Sequence, residues 1–339
     1  MESGLTPRQL AKELRNGVRP PRPLLLPLAF GLGAKVENIA PDLYRKNPTK
    51  IASALGQMRA PLRADGVTCY FDPFLEAEAL GAILHRSPDD ATCAIRWPQR
   101  VEPRQVLDGL RLAEEVPQRG RVPVAIEVVR RMNALPGREF LLCCGVTGPL
   151  TLLWQIAGIE AGKSWRLDEV PAPAKELAAS VVTRMASVFL EAGADLILIH
   201  EATLPVLSRE AREEWINLLA PTINVIRFYE ALPVLHLPDA ESVIEDWEAI
   251  FHGVPDAVVC QPLDAAASRT PSSSTTLCGV ALPLGMFESE ASGRDSLVRA
   301  TEVLAQSNGP VIITTEGDLP LSADFKIIAQ TLAQLTRAR

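Results

Sequence analysis

Eight short apolar runs punctuate the chain, at 24–30, 66–71, 139–146, 195–200, 233–237, 257–261, 275–282 and 311–315. Most are followed by a segment with apolar residues at helical spacing, as at 148–157, 174–192, 240–251, 295–306 and 323–337. The runs are continuous, as DLILIH at 195–200 shows, and do not alternate with polar residues. A strand wetted on one face alternates, whereas a strand covered on both faces does not. Parallel strands joined by helices are covered on both faces, so the pattern predicts an α/β protein built as a (β/α)8 TIM-type barrel. A doubly wound open sheet is the rival. No GxGxxG follows the first run, only Gly31 and Gly33, and no P-loop occurs. With 339 residues, 47% of them hydrophobic, the chain suffices for one such core. The expected organisation is one domain over 1–339. It has an N-terminal extension at 1–23 and an insertion at 86–104, where Pro98 and Pro103 interrupt the rhythm. Within the extension, Thr6 and Pro7 predict the start of a helix over 6–16. Helices are also predicted over 75–84 and 210–232, the latter with a break at Pro221.

The formal charge is −7 and no basic stripe stands out, so nucleic acid is not an expected partner. No apolar run reaches the roughly 18–20 residues of a membrane span. The first residues form a polar amphipathic segment without the apolar region of a signal peptide, so a cytoplasmic protein is expected. Six cysteines include no CxxC pair, and most lie in apolar runs, where a free thiol behaves as a small hydrophobe.

In a barrel, chemistry gathers at the C-terminal ends of the strands. His236 ends the run LPVLH before Leu237-Pro238. Its ring titrates near neutrality and suits acid–base work or metal ligation; the alternative is a histidine that simply caps the core. His200 and Glu201 end another run. Adjacent strand residues face opposite ways, so one is expected at the mouth and the other in a structural pair or cap. Asp72 precedes Pro73 and starts a turn, or steadies a cationic intermediate. With Glu316 these are the candidate catalytic groups. Phe30, Thr147, Gln155, Cys260 and Asp318 are candidate substrate contacts, and no residue is assigned to a metal.

Several stretches together resemble the uroporphyrinogen decarboxylase superfamily, which contains the decarboxylases of haem synthesis and the cobamide-dependent methyltransferases. DGVTCYFDPFLEAEALG at 65–81 is similar to its second strand and loop, with an ending closer to the methyltransferase branch. LCCGVTGPLTLL at 142–153, AGADLILIHE at 192–201, LPVLH at 232–236 and GDLP at 317–320 resemble further family segments in the family's order. The resemblance implies a TIM-type barrel and a homodimer. It also implies a decarboxylase aspartate at Asp72 and a metal-binding histidine at His236. Two departures accompany it. The decarboxylases' arginine-bearing segment after the first strand is PLAFGLGAK here. The methyltransferases' two zinc-binding cysteines fall at Pro238 and Gly317, so zinc is not expected. Three readings stay open. The first is methyl transfer to or from a corrinoid protein, with a cobamide as methyl donor or acceptor. The second is decarboxylation of a tetrapyrrole-type or other small acid through Asp72. The third is a catalytically silent subunit that binds a corrinoid or a partner.

Overall fold

The computed structural model describes residues 4–87, 92–99, 101, 106–159, 164–238, 244, 246–268, 277–306 and 309–338. The strands are β1 (Leu24–Leu25), β2 (Gly66–Tyr70), β3 (Ile83–Arg86), β4 (Cys93–Arg96), β5 (Leu141–Thr147), β6 (Leu196–His200), β7 (Leu232–His236), β8 (Val258–Pro262), β9 (Cys278–Leu282) and β10 (Ile312–Thr315). Eight of them form one parallel sheet in the order β1-β10-β9-β8-β7-β6-β5-β2. Helices follow its strands, and the sheet curls into a nearly closed TIM-type barrel. Residues of β2, β5, β6, β7 and β8 are buried throughout, which is why their sequences read as unbroken apolar runs.

The Asp65 side chain bridges the seam between β1 and β2. The Asp65 N–H donates to the Leu25 carbonyl at 2.9 Å, and the Leu25 N–H donates to Asp65 Oδ2 at 2.8 Å. Arg22 grips both carboxylate oxygens at 2.8 Å, so a buried acid stands in for missing ladder bonds.

The first run is shorter as a strand than its length at 24–30 predicts. Pro27 has no N–H, and the next donor, Leu28 N, bonds the Thr315 hydroxyl at 3.0 Å instead of a carbonyl. The helix predicted over 75–84 stops at Ala79, because Gly81 turns the chain at φ +108°. Ile83–Arg86 then pairs antiparallel with Cys93–Arg96, so part of the predicted insertion is a hairpin. Positions 88–91, 100 and 102–105 of that insertion lie outside the described residues, as do 239–243, 245 and 275–276. The helix Arg209–Phe228 runs unbroken through Pro221. The N-terminal helix Pro7–Arg15 starts with a reciprocal Thr6–Gln9 capping box behind Pro7. Among the described residues no helix is long and apolar enough to cross a membrane.

Candidate active site at the barrel mouth

Parallel register sets the first half of the site. Thr147, His200, His236, Cys260 and Gly279 are successive partners across β5, β6, β7, β8 and β9. Neighbours in such a row lie about 4.8 Å apart. Two imidazoles are thereby brought face to face, with ring centroids 5.0 Å apart and planes inclined by 26°. Their Nδ1 atoms approach to 2.8 Å, a hydrogen-bond distance that requires one proton between them. Both histidines are buried, His236 completely and His200 with 5% of the residue exposed. The Phe71 ring meets His200 edge-on at 5.2 Å. Burial pushes the His200 pKa down to about 4. Burial, then the proximity of His200, pushes His236 well below its ordinary value. Both rings are therefore neutral at pH 7.

Cys260 completes the row. A Cβ on Gly279 would stand 2.3 Å from its sulfur, so the thiol occupies the space that a side chain on β9 would take. Burial keeps this thiol protonated, with its pKa pushed far up.

The second half of the site is built around Asp72, just past β2. Its side chain is fully buried and meets three guanidinium groups: Arg121 at 2.6 Å, Arg86 at 2.5 Å and Arg45 at 3.7 Å. The Phe74 N–H donates to Asp72 Oδ1 at 3.1 Å, closing the turn. Burial alone would raise its pKa, but Arg121, Arg45 and Arg86 outweigh it and hold the carboxyl well below the usual range. Arg121 also donates to Glu78 at 2.6 Å and to the Tyr70 hydroxyl at 3.3 Å, which itself donates to the Arg45 carbonyl at 2.9 Å. Phe30 lies between Tyr44 and Tyr70, at 5.3 and 4.6 Å, beneath the Arg45 guanidinium.

Two buried glutamates flank this wall. Glu201 leaves the strand opposite to His200, as adjacent strand positions require. It accepts from Leu150 N at 3.0 Å, Thr151 N at 2.8 Å and Trp215 Nε1 at 3.0 Å. It thus caps the helix Pro149–Ala157, whose own N-cap, Gly148, has no side chain to do so. Any Cβ at Gly148 would lie 2.2 Å from the Glu201 carboxyl carbon. Glu76 is also fully buried, 2.5 Å from the Thr147 hydroxyl and 3.1 Å from Thr147 N. That hydroxyl also lies 2.9 Å from the Pro73 carbonyl, so its one proton is shared between two acceptors. Burial pushes both glutamates up to about 7.

The remaining candidates lie around the rim. Gln155 donates to the Pro73 carbonyl at 2.8 Å. Asp318 accepts from Gly31 N at 2.7 Å. Glu316 follows β10 and donates its N–H to the Leu282 carbonyl at 2.9 Å. The structure thus brings His200, His236 and Cys260 together, places Asp72 and Phe30 in the arginine-lined wall, and turns Glu201 to a helix end. Arg45, Arg86, Arg121 and Glu76 belong to the site without standing out in the sequence. The three arginines come from separate segments, and no local spacing links them to Asp72.

His236 Nδ1 is engaged by His200, the position two residues on is Pro238, and among the described residues no three His, Cys, Asp or Glu side chains converge on one point.

Comparison with known proteins bears on the family and the fold. A family profile described as Uroporphyrinogen decarboxylase (URO-D) matches residues 33–332. The methylcobamide:CoM methyltransferase MtaA of Methanosarcina barkeri (strain Fusaro / DSM 804) is 25% identical over 115 residues. That match spans 33% of this chain and 34% of the relative, about a third of each. A methyltransferase from Methanosarcina mazei has the same fold, with a TM-score of 0.67 at 16% identity, over 98% of this chain and 99% of that one.

Proposed function

The chain belongs to the uroporphyrinogen decarboxylase family, and we propose that its barrel mouth moves a methyl group between a corrinoid protein and a protic small molecule. The observation behind this reading is the buried, uncharged imidazole pair at the ends of β6 and β7. When bound, a methylated corrinoid supplies an electrophilic methyl group to an acceptor X–H. As the X–CH3 bond forms and the cobalt–carbon electron pair stays on cobalt, the proton of X–H must leave. His200, neutral at pH 7 and the more exposed of the pair, is the group to accept it; in the reverse direction it returns the proton to the leaving X. The likeness to a methylcobamide-dependent enzyme supports the corrinoid as the methyl carrier.

The rival reading, decarboxylation through Asp72, needs that carboxylate to reach a substrate. Its fully buried side chain and three guanidinium partners speak against it. Free cysteines suit a cytoplasmic enzyme, and the homodimer implied by the family is tested by the mass of the particle in solution.

Incubation with methylcobalamin and a panel of thiols and phenols, with methylated products read by mass spectrometry, tests the function. Formation of a methylated acceptor is expected, and His200→Ala should lower the rate by about 100-fold or more. Binding of the corrinoid without transfer to any acceptor would overturn the proposal in favour of a silent binding subunit.

A further inference from the structure

The 2.8 Å contact between the two Nδ1 atoms leaves a choice that decides which nitrogen faces the mouth. One ring must be the Nδ1–H donor and the other the acceptor, and each neutral ring carries a single N–H. If His236 were the donor, its Nε2 would present a bare lone pair in a fully buried position, and His200 would present N–H at the mouth. The surroundings of His236 oppose this. Its Nε2 is sealed from solvent and completes no hydrogen bond of ordinary geometry. The backbone of Thr315, at the end of β10, is the polar group that reaches the ring as an acceptor. A lone pair turned toward a carbonyl is repelled, whereas an N–H is attracted. His200, by contrast, has an aromatic edge against it and is not wholly sealed from solvent.

We infer that His236 is a positioning residue: it carries its proton on Nε2, directed toward the Thr315 backbone, accepts from His200 Nδ1–H, and so presents His200 Nε2 as the basic atom at the mouth. The assignment rests on the reading of His200 as the acid–base group, and deepens it. It gives His236 a role other than metal ligation. It also accounts for the complete burial of His236, because that ring never needs to meet substrate. A proton taken up at His200 Nε2 strengthens the Nδ1–H···Nδ1 bond, since the donor is then cationic. The relay therefore stabilises the charged form that the reaction creates, in a place where burial otherwise opposes it.

The chain has four histidines, His85, His200, His236 and His252, so selective 15N-histidine labelling of the full protein resolves every ring. Assignment follows from the peaks lost in His200→Gln and His236→Asn. The expected spectrum has His200 protonated on Nδ1, His236 protonated on Nε2, and a through-hydrogen-bond coupling between the two Nδ1 atoms. His236→Asn keeps an acceptor near the Nδ1 position and should preserve the His200 tautomer. His236→Leu removes the acceptor and should release it, lowering kcat for methyl transfer by about 100-fold with KM little changed. The reverse tautomers in the wild-type protein would overturn the inference. So would added Zn2+ that binds tightly and abolishes the coupling. The spectrum needs no turnover, so failure of the methyl-transfer reading and failure of the tautomer assignment are seen separately.

Discussion

The two walls of the barrel mouth solve the burial of polar groups in opposite ways. Around Asp72, a buried charge meets Arg121, Arg86 and Arg45, and Arg121 is shared further with Glu78 and Tyr70. Around His236, burial removes charge altogether, and two neutral rings share one hydrogen bond. A buried charge with this many partners is locked: moving it would strand the guanidinium groups in a low-dielectric site. The neutral pair is poised, because it can take a proton at one end and stabilise it at the other. In the proposed reading the aspartate side is structural and the histidine side carries the chemistry.

Removing the anchor of the charged wall is the harshest way to break that contrast. Asp72→Ala removes the buried carboxylate that Arg121, Arg86 and Arg45 share and should cost about 3–5 kcal/mol, read from urea unfolding. A variant of normal stability that had lost all turnover would place Asp72 in the reaction and reverse the assignment.

The two buried glutamates sharpen the same comparison more gently. Glu201 accepts from Leu150 N, Thr151 N and Trp215 Nε1, so Glu201→Gln turns an amide N–H toward one of its donors and should cost about 1–3 kcal/mol. Glu76 accepts from Thr147 N and the Thr147 hydroxyl while burial favours its protonated form, so Glu76→Gln, which keeps one acceptor oxygen and the neutral charge, should cost less, about 1 kcal/mol. Equal losses from both would mean that Glu76 is ionised in the native state.

The pH dependence gives the smallest signals. Between its ordinary value of 4.5 and about 7, native Glu76 keeps a proton that the unfolded chain has released. The native state then binds more protons, so stability falls as pH rises through that window, and Glu76→Gln should remove this share of the slope. Asp72 acts in the opposite sense. Its depressed pKa contributes stability that is complete above about pH 4 and is lost as pH falls further. An acid limb in wild type that is flatter in Asp72→Ala would show it.

Much of the barrel was legible because burial on both faces writes itself into the sequence as unbroken apolar runs. His200 and His236 stood out as polar residues closing two of those runs, and the strand period alone separated His200 from Glu201. What could not be read was the register between β6 and β7. Those histidines lie 36 positions apart, and only the parallel ladder makes them partners. The arginine wall was hidden for the same reason. Arg45 follows one short helix, Arg121 precedes another, and Arg86 ends a hairpin strand within the predicted insertion. Glu76 was read as part of EAEALG, a family-like segment, and nothing in that segment says that burial raises the pKa of its carboxyl. The shortened first strand reflects Pro27 and the side chain of Thr315, a tertiary effect without a local signal.

The account turns on His200 acting as the proton acceptor in methyl transfer. The most direct measurement is single-turnover loss of methylcobalamin absorbance in the presence of a thiol, with wild type and His200→Ala compared at equal corrinoid occupancy. The account predicts transfer in wild type and a rate lower by about 100-fold or more in the variant, with corrinoid binding retained. A variant as fast as wild type, or a wild type that binds methylcobalamin and transfers nothing, would contradict it.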